Sequence, residues 1–150
     1  MDPCVPRGRD ADDRVRLEQV AREWISLWSV PVDWELFDRL HAERFIDESS
    51  AGRPSDKAGF RQGLLELVTA FPDLEATVED LVVDARRCRV AVRWAARGTN
   101  RVRFLDIGPT NRSTLITGIE IIEVRHGRIV RRWGEWDIAA HCAVDGPSVE

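Results

Sequence analysis

The hydrophobic period of this chain changes once, at Pro72. Before that point Leu17, Val20, Ala21, Trp24, Ile25 and Trp28 recur at the spacing of one helical face. Trp34, Phe37, Leu40 and His41 form a shorter version, and Phe60, Leu64, Leu67, Val68 and Phe71 form a third. Pro31 stops the first helix, FIDESSAGRP reads as a loop, and Ser55 reads as the N-cap of the third helix with Asp56 in its first turn. After Pro72 the apolar residues alternate. LEATVEDLVVD, CRVAVRWAAR, RVRFLDI, TLITGIEIIEV and IVRRWGEWD read as strands, separated by Asp84 to Arg87, GPTNRS and RHGR. No crossover helix lies between them, so the order implies three helices and then a mainly antiparallel meander, an α+β layout with helices on one face.

One domain is expected, spanning 11–142, with a flexible lead-in at 1–10 and a tail at 143–150. A chain of 150 residues that is 43% hydrophobic can bury one core. A net charge of -4 argues against a sequence-independent hold on nucleic acid. No run approaches the about 18 apolar residues of a membrane span. The N-terminus has no apolar stretch of signal-peptide type, so a cytoplasmic protein without a membrane partner is expected. Cys4, Cys88 and Cys142 lack metal-type spacing and read as free thiols, and His41, His126 and His141 are scattered. Neither a metal nor a cofactor is indicated.

The candidate chemistry lies in the last strand. In GRIVRRWGEWD, alternation puts Ile129, Arg131, Trp133, Glu135 and Asp137 on one face. Pairing across His126-Gly127 sets Val124 opposite Ile129, Ile122 opposite Arg131, Glu120 opposite Trp133, Gly118 opposite Glu135 and Ile116 opposite Asp137. Glu120, Glu135 and Asp137 then share a face. An acid walled in by indole and aliphatic groups resists ionising, and its raised pKa suits proton transfer at neutral pH. Asp137 and Glu120 are therefore the candidate catalytic residues. The rival reading makes them structural: Asp137 ends its strand or pairs with an arginine, and Glu120 bridges to Arg131. Trp133, Glu135, Trp94, Trp24, Trp28, Phe45, Phe60 and Ile122 are candidates for a substrate-binding wall, with core filling as the alternative for each tryptophan.

The stretches AFPDLEATVEDLVVD, RVAVRWAARGTN, GPTNRS, TGIEIIEV and HGRIVRRWGEWD together resemble the SnoaL-like polyketide cyclases. That family belongs to the nuclear transport factor two-like superfamily, which also includes ketosteroid isomerases. The resemblance implies a cone-shaped α+β barrel whose curved sheet and three helices enclose an apolar pocket. It implies a cofactor-independent cyclase or isomerase acting by acid/base catalysis of the intramolecular aldol type on a polyketide-like or other apolar carbonyl compound. The family's acid/base aspartate near the end of the sheet matches Asp137, and a homodimer or higher homo-oligomer through the outer sheet is implied as well. Two segments depart from the pattern: FIDES places Glu48 where many members carry a histidine, and DIGPTNR stands where members often read GIPPTG. The alternative functions are a non-catalytic protein that binds a hydrophobic small molecule and a hydroxylation component of a polyketide tailoring pathway.

Overall fold

A computed structural model describes residues 10–137. The helices are α1 (Asp10–Ser26), α2 (Trp34–Leu40) and α3 (Lys57–Ala70). The strands are β1 (His41–Asp47), β2 (Glu75–Asp84), β3 (Arg89–Thr99), β4 (Ser113–Arg125) and β5 (Arg128–Trp136). They form one open sheet in the order β1-β5-β4-β3-β2, antiparallel except where β1 runs parallel to β5. The sheet leaves β1 and β2 as its edges, and α1 packs on β2 and β3 while α3 packs on β1. This is the expected α+β layout, with a mixed sheet that does not close. The expected domain runs past the described residues at its C-terminal end, and the tail at 143–150 lies outside them.

The core between helices and sheet is aromatic. Trp24, Trp28, Phe37, Phe45, Phe60, Phe71 and Trp94 are all buried, and a fully buried side chain of this size contributes about 1.5–3 kcal/mol. Trp28 bridges the layers, edge-on to Trp24 at 4.5 Å between centroids and stacked on Trp94 at 6.4 Å. His41 is held inside this core: Trp24 Nε1 donates to its Nε2 at 3.0 Å, so Nδ1 carries the proton and donates to the Phe37 carbonyl at 2.7 Å. Burial lowers its pKa to about 4, and the ring is neutral at physiological pH.

Several expectations are corrected. Asp56, not Ser55, caps α3, with its carboxylate accepting from Gly59 N at 2.8 Å. HAERFID, expected as the end of a helix followed by a loop, is strand β1. Its inward positions include His41 and Asp47, polar residues that hide the strand pattern. RVRFLDI is a loop with a single bridge from Phe104 to Ile107. Buried Asn100 organises it: its Oδ1 accepts from Thr110 N at 2.8 Å, and its Nδ2 donates to the Val102 carbonyl at 3.3 Å. Gly108, at φ +84, touches that amide where a Cβ would collide with Oδ1, so glycine is needed twice over. Cys88 is buried and disulfide-bonded, so the free-thiol expectation does not hold for it.

The hairpin register is the decisive correction. Val124 does pair with Ile129, but the ladder then skips Val130 and resumes with Glu123 opposite Arg131, Ile122 opposite Arg132, Glu120 opposite Gly134 and Gly118 opposite Trp136. One bulged residue moves every later side chain to the other face. Arg132, Gly134 and Trp136 therefore face inward, and Arg131, Trp133, Glu135 and Asp137 face outward.

Candidate active site

An inner cavity of about 430 Å³ lies between α3, the loop after β1, the loop at Phe104 and Leu105, and the end of β5. Trp28, Phe60, Leu64, Leu67, Phe104 and Trp136 supply most of its apolar wall. Its polar side is built on β5. Arg132, only 3% exposed, donates from Nε to Glu120 Oε2 at 2.8 Å and from Nη2 to Glu120 Oε1 at 3.1 Å. Its Nη1 donates to Asp47 Oδ1 at 2.8 Å and to the Ser49 carbonyl at 3.3 Å. A guanidinium carries five N–H donors, so one N–H on Nη2 has no acceptor among the described residues. The Arg132 guanidinium also sits over the Phe60 ring, 5.5 Å from its centroid.

Glu120 is fully buried beneath this guanidinium. Trp136 Nε1 donates to Oε1 at 2.7 Å. The indole N–H of Trp94 lies near enough to favour the charged form of Glu120, but it is not aligned as a hydrogen bond. Burial pushes the Glu120 pKa above its ordinary value, opposed by Arg132, Trp136 and Trp94. Burial also works to lower the pKa of Arg132, but Glu120 and Asp47 outweigh it and raise that value. Gly134 makes the arrangement possible, because a Cβ there would collide with Glu120 Oε2 and the Arg132 guanidinium.

Asp47 ties the cavity to the loop after β1. Its Oδ1 accepts from Arg132 and from Ser49 N at 3.0 Å, and its Oδ2 pairs with Arg53 Nη2 at 3.5 Å. Ser49 Oγ accepts from Gly134 N at 3.0 Å, which ties the loop to β5 as well.

The expected site residues divide between two sides of the sheet. Glu120 is central, and Trp28 and Phe60 line the cavity. Trp94 packs behind the wall against Trp136, at 5.2 Å between centroids. Trp24, Phe45 and Ile122 are core residues that do not line the cavity. Trp133 lies on the outer face between the guanidiniums of Arg89 and Arg131, at 4.8 and 5.9 Å. Glu135 borders both faces, but alternation turns its exposed side chain outward. Asp137 is exposed, and with Arg93, Arg97, Glu79 and Ile119 it lines an outer groove of about 960 Å³. The interior position expected for Asp137 is thus corrected by the Val130 bulge. Arg132, Arg53, Asp47 and Gly134 belong to this network but are not singled out by strand alternation. The usable signal was a glycine between large residues in a strand, which marks close approach of another group. Among the described residues no cluster of His, Cys, Asp or Glu could hold a metal, and no helix is long and apolar enough to cross a membrane.

Comparison with known proteins agrees with this architecture. TsrD from Streptomyces laurentii is 19% identical and superposes with a TM-score of 0.78, covering 89% of this chain and 96% of that one. IdmH from Streptomyces antibioticus, a candidate polyketide cyclase, is 28% identical with a TM-score of 0.75, over 87% of this chain and 99% of its own. AclR from Streptomyces galilaeus, a candidate hydroxylase, shares the fold at 18% identity and a TM-score of 0.74, over 91% of this chain and 86% of its own. No curated protein matches the sequence. The sequence model of the SnoaL-like polyketide cyclases matches residues 18–143, and the chain belongs to that family.

Proposed function

We propose that this protein is a cofactor-independent cyclase or isomerase acting by acid/base catalysis, of the intramolecular aldol type, on a polyketide-like or other apolar carbonyl compound. The observation that carries the reading is Glu120, a carboxylate wholly buried beside an apolar cavity and clamped by a guanidinium that keeps one N–H in reserve. A substrate carbonyl oxygen accepts the spare N–H of Arg132 Nη2, and Glu120 takes the proton from the adjacent carbon. The enolate then attacks a second carbonyl of the same molecule, and the acid form of Glu120 returns its proton to the new alkoxide, which restores the carboxylate. One well-placed donor to a developing oxyanion contributes about 3 kcal/mol. No side chain at Gly134 stands between Oε2 and the cavity, and its raised pKa suits a group that must take and return a proton. The role expected for Asp137 passes to Glu120, because Asp137 is exposed on the other face.

Glu120→Gln tests this on any polyketide precursor that the wild type converts. Turnover should fall about 100-fold or more while ligand affinity stays within a factor of about three. Undiminished turnover would remove Glu120 from the mechanism.

One observation favours a second reading. Both oxygens of Glu120 are already hydrogen-bonded, as in a purely structural ion pair, and this suits a binding protein without chemistry. Tight ligand binding with no product from any precursor would support it. Homodimerisation through the outer sheet belongs to the primary reading. Its support is the cross-strand row of Val82, Ala91, Ile121 and Trp133, in which Val82 is 64% and Ile121 39% exposed.

A further inference from the structure

Two arginines line the inner cavity, and the carboxylates that balance them stand behind them. Arg53 and Arg132 both border the cavity, whereas Asp47, 1% exposed, lies behind them and Glu120, 0% exposed, approaches it only at Gly134. Asp47 brings the two guanidiniums together, Arg132 on one oxygen and Arg53 on the other. The four charges sum to zero, yet the pole turned toward the cavity is positive. In a low-dielectric hollow that orientation attracts a negatively charged oxygen and is not offset by bulk water.

Arg53 is the less committed of the pair. Its Nη1 donates to the Gly59 carbonyl at 3.2 Å, and its contact with Asp47 at 3.5 Å is an ion pair rather than a tight hydrogen bond. Its side chain is 28% exposed and lies across the backbone of Gly63, where a Cβ would collide with the guanidinium. The remaining donors of Arg53 have no acceptor in the hydrogen bonds made by the described residues. Glu66 and Glu135 also border the cavity, but both are exposed to water; Glu66 Oε1 accepts from Gln62 Nε2 at 3.3 Å, and alternation turns Glu135 outward. The apolar lining is the flat rings of Phe60, Trp28 and the stacked pair Phe104 and Trp136, 6.4 Å apart at 24°.

We propose that the cavity binds a flat aromatic compound bearing an ionised carboxylate at one edge, that the uncommitted donors of Arg53 hold and select this anion, and that the spare N–H of Arg132 stays with the reacting carbonyl. The inference rests on the reading that the inner cavity is the substrate site. It adds that the ligand is an acid rather than its neutral ester.

Quenching of tryptophan fluorescence by two matched probes tests it, anthraquinone-2-carboxylate and its methyl ester, titrated into the full chain at neutral pH. The acid should bind about tenfold tighter than the ester, the scale of one charge-assisted hydrogen bond in a sheltered site. In Arg53→Gln that preference should shrink to about twofold or less with ester affinity unchanged, and Arg53→Lys should restore most of it. Equal affinity for acid and ester, binding of neither, or a preference that survives Arg53→Gln would overturn the proposal. The readout is binding alone. A failure here leaves the Glu120 turnover test standing, and a failed turnover test leaves the acid preference measurable.

Discussion

Alternate residues of a single strand, β5, have opposite fates. Arg132 and Trp136 face the cavity and fasten Glu120, and Gly134 between them leaves room for that carboxylate. Trp133, Glu135 and Asp137 are turned to the outer face, where Trp133 stacks under arginines and both acids are exposed. Both faces join an acid, an arginine and an indole, the inner acid being Glu120 of the neighbouring β4. What differs is water. On the outer face charge is solvated and screened, and an ion pair there contributes about 0–1 kcal/mol. On the inner face each charge needs a partner or it must be neutralised.

The contrast can be broken most severely at Arg132. Arg132→Met leaves Glu120 and Asp47 buried without their shared cation, and the fold should lose about 3–5 kcal/mol in urea unfolding. A loss below 1 kcal/mol would show that the pair is not a buried network. His41 sharpens the same point through pH. Its folded pKa of about 4 lies below the unfolded 6.5, so the folded chain binds fewer protons between those values. The contribution is complete above pH 6.5 and declines as pH falls toward 4, by about 3 kcal/mol. Imidazole signals in NMR should show no His41 titration until about pH 4.

Gly134→Ala should cost about 1–3 kcal/mol, because the added methyl displaces the Glu120 carboxylate or the Arg132 guanidinium. A substitution of equal size at an outer position of the same strand should do far less. The smallest effect is expected at Asp137. Asp137→Asn should change stability by about 0.5 kcal/mol or less and leave turnover within about twofold, measured beside Glu120→Gln. A large loss in the Asp137 variant would reverse the assignment of the two faces.

Much of the architecture was legible from residue spacing. The helical faces built on Trp24, Phe37 and Phe60 and the alternating runs of β2, β3 and β4 are local patterns, and they appear where the spacing puts them. β1 was not legible, because its inward residues His41 and Asp47 are polar and are tolerated only through partners from α1, α2 and β5. Asp56 rather than Ser55 capping α3 is a one-residue matter of backbone geometry. At the site, Glu120, Trp28 and Phe60 follow from the residue pattern, whereas uninterrupted alternation turns Arg132 outward and no local pattern marks Arg53.

Composition and periodicity were enough to establish an α+β domain with a carboxylate inside its last hairpin. They could not say which residues of β5 meet that carboxylate. Alternation repeats every two residues, so one unpaired residue, Val130, exchanges the two faces, and the alternation itself does not record that event. The exchange became visible only through long-range partners: Glu120 and Asp47 on Arg132, and Ser49 on Gly134, residues brought together from β4, β1 and the loop after β1. Buried charges must be satisfied by whatever packs against them, and that requirement acts between distant parts of the chain.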